Sequence, residues 1–395
     1  MHLEEHKSCV AIMKNQSKSN KWPDFRFNLE EISGAVGDYG TLIPIVLGVA
    51  IVSNVNLGYI LLFFSIWYII TGIYYKMPVP VEPMKSIGAI VIAEGLNGGE
   101  IAASGIILGV LFLVLGFCKG MKFIQEKVPQ SVIRGIQLGL ALLLIKTSIN
   151  FIVGDYILAT VCIIIAILFL IVNKFGKIPD FSAIVIMLIG IIVGFSISGI
   201  PPIGIISLPN IIFPTVHDFL KGGWLLAIPQ APLTITNAIL ATLLLVQDLL
   251  HRELDPDKLS ISIGLMNLTS VPFGGFPMCH GVGGLAAQYR FGARTGGSNI
   301  ISGLILLPIA LFFASPEFVA IIPLGVFGAL LIFVGIELGK HGLKTDSYIV
   351  SGIIAILALI TNMAIAFIVG MILAYLLKKI SKCPQRSENL GNERG

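Results

Sequence analysis

The sequence predicts an all-α integral membrane protein with about fourteen transmembrane spans, arranged as two inverted repeats of seven. Three observations lead there: the composition, the placement of the basic residues, and a breaker-rich motif that occurs twice. Of the 395 residues, 55% are hydrophobic and only 12% are charged, and the mean hydropathy is +0.93. This balance is far from that of a soluble globular domain, and about 20 apolar residues suffice for one helical span.

The apolar segments divide into two groups of seven. The first group covers 32–53, 57–75, 80–95, 101–118, 130–150, 156–173 and 180–199. The second group covers 229–249, 259–272, 277–290, 298–314, 318–338, 346–360 and 363–378. The expected domains are a tail (1–28), a first repeat (29–200), a loop (201–228), a second repeat (229–380) and a short tail (381–395).

The basic residues predict the orientation of the chain. The first 28 residues are polar and basic and lack an apolar core, so we expect no cleavable signal peptide and cytoplasmic termini. With that orientation, Lys and Arg collect at the inner ends of the spans, and the outer loops hold little beyond Lys221. We expect a multi-pass protein of the plasma membrane, with the lipid bilayer as its partner and no binding of nucleic acid.

An internal offset supports the two repeats. Pro83-Met84 and Pro277-Met278 stand 194 residues apart, and Pro129 and Pro323 share the same offset. Because seven is an odd number, the two halves enter the membrane in opposite directions, which is the plan of many secondary transporters. The 43 glycines and 20 prolines indicate close helix packing and broken helices.

The repeated motif predicts broken half-helices at spans 3 and 10. Residues 77–85 and 274–284 are extended, proline-rich and glycine-rich, and each leads into a short helix. Irregular backbone at membrane depth must be buried or line a wet cavity. Two helix amino ends that meet there present free N–H groups and positive dipole ends, which favour an anion. The residues expected to bind this anion are Thr41, Met84, Lys85, Asn237, Met278, Cys279, His280 and Gly281.

Several of these residues have a second interpretation. Lys85 either supplies positive charge to the ligand or pairs with Glu82 and holds the broken helix in place. His280 either bonds to substrate or handles protons, or it bonds to a neighbouring carbonyl. One Cys and one His do not make a metal site, so we expect no metal at Cys279.

Two further spans carry buried polar residues. In the first span, Asp38 lies beside Thr41 and three glycines. Either the glycines admit a close neighbour and Thr41 offers its hydroxyl to the ligand, or Asp38 bonds to freed backbone amides. The eighth span carries a neutral cluster that suits an anion, with helix-to-helix hydrogen bonding as the alternative. That cluster is Gln230, Thr234, Thr236 and Asn237. The candidates for a coupling or structural role are Asp38, Glu82, Gln230, Thr234 and Gln288.

A family resemblance agrees with this interpretation. Residues 274–296 resemble the signature of sulfate-permease-type transporters. Residues 27–44, 83–85 and 277–281 look more like the molybdate transporter family, a branch of that superfamily, and the resemblance covers about residues 25–380. It implies a fourteen-span inverted-repeat fold with core and gate domains, in which spans 3 and 10 supply half-helices around the anion.

The sequence departs from the wider superfamily in two respects. Sulfate permeases generally carry a cytoplasmic regulatory domain after the last span, and we expect no such domain after Lys379. Wider relatives often place a carboxylate in the eighth span, where this chain has Asn237. Their coupling scheme therefore does not transfer to this chain.

We therefore predict a secondary transporter that imports molybdate by alternating access, with H⁺ as the coupling ion. A sulfate or general oxyanion permease is the alternative. Glu82 or Asp38 would accept the coupling proton. We expect neither an enzyme nor a cofactor, because the six His are scattered and offer no nucleophile and base or metal constellation. A homodimer is compatible with the sequence.

Overall fold

A computed structural model describes residues 25–53, 55–121, 129–175, 182–200, 203–209, 211–314 and 322–382. The secondary structure of this part of the chain consists of helices joined by loops, with two strands of two residues each. The predicted tails lie almost wholly outside it, as do the basic loop around Lys127 and the start of the predicted span at 318.

Among the described residues, the first half of the chain contains eight helices and one strand. They are α1 (Leu29–Val36), α2 (Tyr39–Ser53), α3 (Leu57–Tyr75), β1 (Glu82–Pro83), α4 (Lys85–Glu94), α5 (Gly98–Phe117), α6 (Gln130–Gly154), α7 (Tyr156–Phe175) and α8 (Ser182–Ser198). The second half contains one strand and the remaining helices. They are α9 (Val216–Leu250), α10 (Pro256–Ser270), β2 (Met278–Cys279), α11 (Val282–Arg290), α12 (Gly297–Phe312), α13 (Leu324–Gly342), α14 (Tyr348–Ile360) and α15 (Met363–Lys382).

The length and composition of these helices are those of an integral membrane protein. Six described helices are long and apolar enough to cross a bilayer, and four shorter apolar helices accompany them. Large apolar side chains such as Phe117 and Val153 are more than half exposed, as expected of surfaces that face lipid. The count of fourteen spans stays a prediction.

Two boundaries differ from those that the sequence predicts. The helix α9 begins at Val216, whereas the predicted loop extended to residue 228. Thr215 and Asp218 form a reciprocal capping box, which starts this helix thirteen residues before the predicted span. In the first span, the helix is interrupted at Gly37 and Asp38, between α1 and α2.

Helix pairs from the two halves of the chain pack against each other. The helix α3 packs on α12, α5 packs on α10, and α6 packs on α13 and α14. Glycines allow this close approach: a Cβ at Gly303 would overlap the backbone oxygen of Ser65, and one at Gly264 would overlap Leu113. This arrangement surrounds the short helices α4 and α11 with longer ones.

Candidate functional site

Two paired strands bring the short helices α4 and α11 to one place. In antiparallel register, Glu82 lies opposite Cys279 and Pro83 lies opposite Met278. The N–H of Met84 also donates to the carbonyl of Pro277 (2.9 Å). The helix α4 begins directly after β1, and α11 begins three residues after β2. The amino ends of both helices therefore start from one small, buried platform.

The carboxylate of Glu82 crosses from β1 to the start of α11. Its Oε1 accepts a hydrogen bond from the N–H of Gly284 (2.5 Å), and its Oε2 lies 2.6 Å from the Nζ of Lys85. The side chain of Glu82 is 1% exposed and that of Lys85 is 27% exposed. Gly284 is the third residue of α11, where backbone N–H groups have no partner within the helix. Glu82 thus acts as a side-chain cap supplied from a distant part of the chain.

A second carboxylate approaches the same glycine. Asp38 is fully buried and accepts hydrogen bonds from the Tyr68 hydroxyl (3.0 Å) and the Thr41 hydroxyl (3.1 Å). A Cβ at Gly284 would overlap the carboxylates of both Asp38 and Glu82. Only glycine fits at this position. The break between α1 and α2 therefore places Asp38 at the start of α11.

The start of α4 is satisfied by a neutral group instead. The Oε1 of Gln230 accepts a hydrogen bond from the N–H of Ser86 (3.0 Å), and its Nε2 donates to the Thr234 hydroxyl (2.9 Å). Residues Thr234–Ala241 form a π-helical segment of α9, a distortion that is frequent at functional sites. The Ser86 hydroxyl is buried without a hydrogen-bond partner among the described residues. An unsatisfied donor at a helix start can serve a ligand.

The His280 side chain is held by protein groups on both ring nitrogens. Its Nδ1 lies 2.9 Å from the carbonyl of Pro80, and its Nε2 lies 2.7 Å from the Ser262 hydroxyl. The ring also stacks edge-on against Tyr75, with 5.6 Å between the ring centroids. Because a carbonyl only accepts hydrogen bonds, Nδ1 carries the proton. In this conformation the imidazole ties β2 to its neighbours and is not offered to a ligand.

Other protein groups occupy two backbone amides that the sequence assigns to the anion. The N–H of Met84 donates to Pro277, and the N–H of Met278 donates to the Asn267 Oδ1 (3.0 Å). Asn267 returns a bond from its Nδ2 to the Met278 carbonyl (2.8 Å). Both N–H groups donate to protein groups in this conformation, so they are not available to an anion. The expected backbone contacts to the anion are therefore those at the helix starts.

Accessible surface in the site lies at the start of α11. Gly283 is exposed, and Lys85 is its neighbour, since a Cβ at Gly283 would lie 3.4 Å from the lysine Nζ. Thr41 and Asn237 are half-buried. Gln288, one turn along α11 from Gly284, is fully buried, and its side-chain amide has no hydrogen-bond partner among the described residues.

Four residues of the site were missed by the sequence analysis. Ser86, Tyr68, Ser262 and Asn267 are each bonded to a predicted site residue or stand at a helix start in the site. A polar side chain in the middle of an apolar span was the available signal for Asn267 and Ser262. No sequence signal distinguishes Ser86 and Tyr68 from ordinary residues of a membrane helix.

A separate acidic group lies at the start of α5. Glu100, His217 and Asp218 place one potential metal-ligand atom each within 4.8 Å of one another. Glu100 pairs with Lys221 (2.6 Å) and caps α5, while Asp218 caps α9 through Thr215. These bonds account for the group as two helix caps and an ion pair.

The fold matches those of known membrane transporters. The transmembrane domain of a cyanobacterial bicarbonate transporter superposes with a TM-score of 0.64 at 18% identity, covering 86% of this chain and 96% of the other. The structure of the murine solute carrier 26 family member A9 anion transporter in the inward-facing state gives 0.69 at 15% identity, covering 92% and 70%. At these identities the likeness establishes the fold class alone.

Sequence comparison gives the family. The family model described as "Molybdate transporter of MFS superfamily" matches residues 30–144 and 222–338. Molybdate transporters 2 and 1 of Arabidopsis thaliana are each 34% identical to this chain, over 88% and 89% of it and 87% and 89% of their own lengths. Molybdate transporter 1 of Chlamydomonas reinhardtii is 24% identical over 87% of this chain and 90% of its own length. The chain belongs to the molybdate transporter family, which confirms the resemblance seen in the sequence.

Proposed function

We propose that this protein is a secondary active transporter that imports molybdate, a tetrahedral oxyanion with two negative charges, together with H⁺ by alternating access. The names of the relatives support molybdate as the substrate, and the chemistry of the site supports the binding of an oxyanion. A general oxyanion permease that also carries sulfate is the alternative, because helix N–H groups and a lysine recognise charge and hydrogen-bond acceptors in both anions.

The observation that carries the proposal is the position of Lys85. Its ammonium group lies beside the exposed start of α11, although the residue itself begins α4. One cation and two helix amino ends therefore converge on one accessible spot within a membrane-spanning bundle. Positive charge at that depth is costly unless it serves a partner, and an ionisable residue there is by default a functional one. An oxyanion is the ligand that such a site favours.

The proposed ligand shell follows from the groups around that spot. Lys85, the backbone from Cys279 through Gly281 to Gly283, and the unpartnered Ser86 hydroxyl would contact the oxyanion. The half-buried Thr41 and Asn237 would complete the shell at its rim. Gln230 and Thr234 would support it by holding the start of α4.

The proposal of alternating access rests on the correspondence in sequence offset and in helix pairing between the two halves of the chain. Gln130 and Leu324, which start α6 and α13, stand 194 residues apart, the same offset as the two proline motifs. The pairing of α3 with α12 and of α5 with α10 is the exchange expected of two inverted repeats. We propose that α6, α7, α13 and α14 form the gate and that the helices around α4 and α11 form the core.

We further propose that either Glu82 or Asp38 takes the coupling proton. They are the carboxylates that share the start of α11 with Lys85. The plasma membrane location and the cytoplasmic termini rest on the basic inner ends of the predicted spans.

Uptake of labelled molybdate into proteoliposomes tests this function. The purified protein is reconstituted, and uptake at low micromolar molybdate is followed with and without an inward proton gradient, and with excess sulfate. Protein-free liposomes and the Lys85→Met protein are the controls. We expect saturable uptake that the gradient stimulates and sulfate inhibits little.

Each other outcome has a definite meaning. Strong inhibition by sulfate would mean that the substrate is oxyanions in general and not molybdate in particular. Uptake that is indifferent to the gradient removes H⁺ as the coupling ion. An absence of flux from a folded, correctly reconstituted protein contradicts the transport function itself.

A further inference from the structure

The anion position at the start of α11 already holds a negatively charged group of the protein. The Glu82 carboxylate accepts the Gly284 N–H and pairs with Lys85, and it lies so close to Gly281 that a Cβ there would overlap it. A carboxylate and an oxyanion use the same partners, namely backbone N–H groups at a helix start and a cation. The N–H group and the ammonium group that would bind an anion at the start of α11 are therefore already bonded to Glu82.

The negative charge of Glu82 determines whether an anion can bind at this position. An incoming dianion at Lys85 would meet the negative charge of Glu82 within the same few ångströms, with Asp38 beside it. In a site of low dielectric, that repulsion is far larger than in water. The Gly284 N–H is a single donor, so the dianion and the charged Glu82 side chain cannot both accept it, and at the Lys85 ammonium they would repel each other. One of them must leave or lose its charge.

We propose that Glu82 is a tethered competitor of the substrate. In the empty transporter it holds the start of α11 and Lys85, and the oxyanion takes that place when Glu82 accepts one proton and releases both partners. The step balances: one proton and one dianion enter the site together, and the Glu82 O–H bond is the one that forms. This inference rests on the proposed function, and it deepens that function by stating how the substrate is linked to the proton.

Other titratable groups face the Glu82 side chain from each neighbouring element. Lys85 comes from α4, Asp38 from the break between α1 and α2, Tyr68 from α3, Cys279 from β2, and His280 from the residue after β2. Among the carboxylates, Asp38 accepts hydrogen bonds from the Tyr68 and Thr41 hydroxyls, whereas the Gly284 N–H and the Lys85 ammonium are bonded to Glu82. Glu82 is the one whose partners the substrate takes.

The test measures binding and proton uptake on the purified full-length protein. Molybdate is titrated at pH values from about 5.5 to 8.5, and protons taken up are counted in weakly buffered solution with a pH indicator. For the wild type we expect about one proton per anion, and an affinity that falls up to tenfold per pH unit at the alkaline end. For Glu82→Gln we expect no proton uptake and tighter binding than the wild type at high pH.

Two matched variants accompany Glu82→Gln. Glu100→Gln removes another buried carboxylate that pairs with a lysine at 2.6 Å and caps a helix, and we expect it to keep the wild-type proton count. Glu82→Asp keeps the charge and should keep proton uptake, so it remains informative if Glu82→Gln folds poorly. Size-exclusion chromatography and thermal unfolding verify the fold of each.

Three results overturn the inference: proton uptake that persists in Glu82→Gln, proton uptake that disappears in Asp38→Asn but not in Glu82→Gln, or binding to the wild type without proton uptake. In each case molybdate still binds, so the assignment of the protein as a molybdate transporter stands. A wild-type protein that binds neither molybdate nor sulfate contradicts the proposed function instead, so the two failures are distinguishable.

Discussion

The short helices α4 and α11 start from the same strand pair, yet different groups fill their amino ends. At α4, the Ser86 N–H meets the neutral amide oxygen of Gln230, whereas at α11 the Gly284 N–H meets the charged carboxylate of Glu82. A neutral dipole can stay in place beside an anion, but a carboxylate repels it. The comparison indicates that the α4 end is a fixed part of the site and that the α11 end is the part that must change when substrate binds.

Removing the cation between the two ends should have the largest effect. We expect Lys85→Met to reduce molybdate uptake by at least about a hundredfold, because the anion loses its cation and because removing one partner of a buried ion pair, which leaves Glu82 uncompensated, costs about 3–5 kcal/mol. Uptake into proteoliposomes measures it. Lys221→Met, which breaks the ion pair with Glu100 far from the site, is the control and should retain most of the uptake. Comparable losses in both variants would remove the special role of Lys85.

Adding a methyl group at the start of α11 should have the second largest effect. A methyl group at Gly284 would overlap Glu82 and Asp38, so we expect Gly284→Ala to destabilise the protein by about 1–3 kcal/mol and to impair uptake strongly. Thermal unfolding in detergent checks the first effect. Gly352→Ala is the matched control, since a Cβ at that helical glycine meets nothing within 4 Å. Normal stability of Gly284→Ala would contradict the placement of the two carboxylates.

Disturbing the α4 end should have a smaller effect. We expect Gln230→Ala to slow uptake about tenfold, because a buried N–H at Ser86 loses its acceptor at a cost of about 1–3 kcal/mol. Its dependence on pH should match that of the wild type, because the amide is neutral. Gln247→Ala, at an exposed position on the same helix, is the control. A changed pH dependence in Gln230→Ala would show that the two ends are not separate in function.

The smallest effect is expected at the second carboxylate. Tyr68→Phe removes one of the two hydroxyl groups that donate to Asp38, and a net hydrogen bond contributes about 0.5–1.5 kcal/mol. We expect a change of several-fold in the KM for molybdate, measured by initial uptake rates. Tyr74→Phe alters an exposed tyrosine one helix turn and a half away and should leave KM unchanged. An unchanged KM in Tyr68→Phe as well would separate Asp38 from substrate binding.

The sequence predicted the parts of this site that depend on local chemistry. Prolines and glycines stop a helix wherever they cluster, so the motifs at 77–85 and 274–284 located the starts of α4 and α11. A lysine at membrane depth is costly in any context, which singled out Lys85 before its surroundings were known.

The sequence did not predict contacts between distant segments. Glu82 and Gly284 are 202 positions apart, and nothing near Glu82 indicates that it caps another helix. The sequence left two roles open for Lys85, a positive charge that binds the ligand or an ion pair with Glu82. The structure contains the ion pair. The early start of α9 was missed because the cap formed by Thr215 and Asp218 precedes polar residues that resemble a loop.

The strand pair has a mechanical consequence. Four residues join the starts of α4 and α11 through backbone hydrogen bonds, and Asn267 clamps the same pair from α10. Backbone bonds of this kind keep the distance between the two helix ends nearly constant. Displacing one end therefore displaces the other by the same amount, so the binding groups would travel as one rigid body while the surrounding helices slide past them.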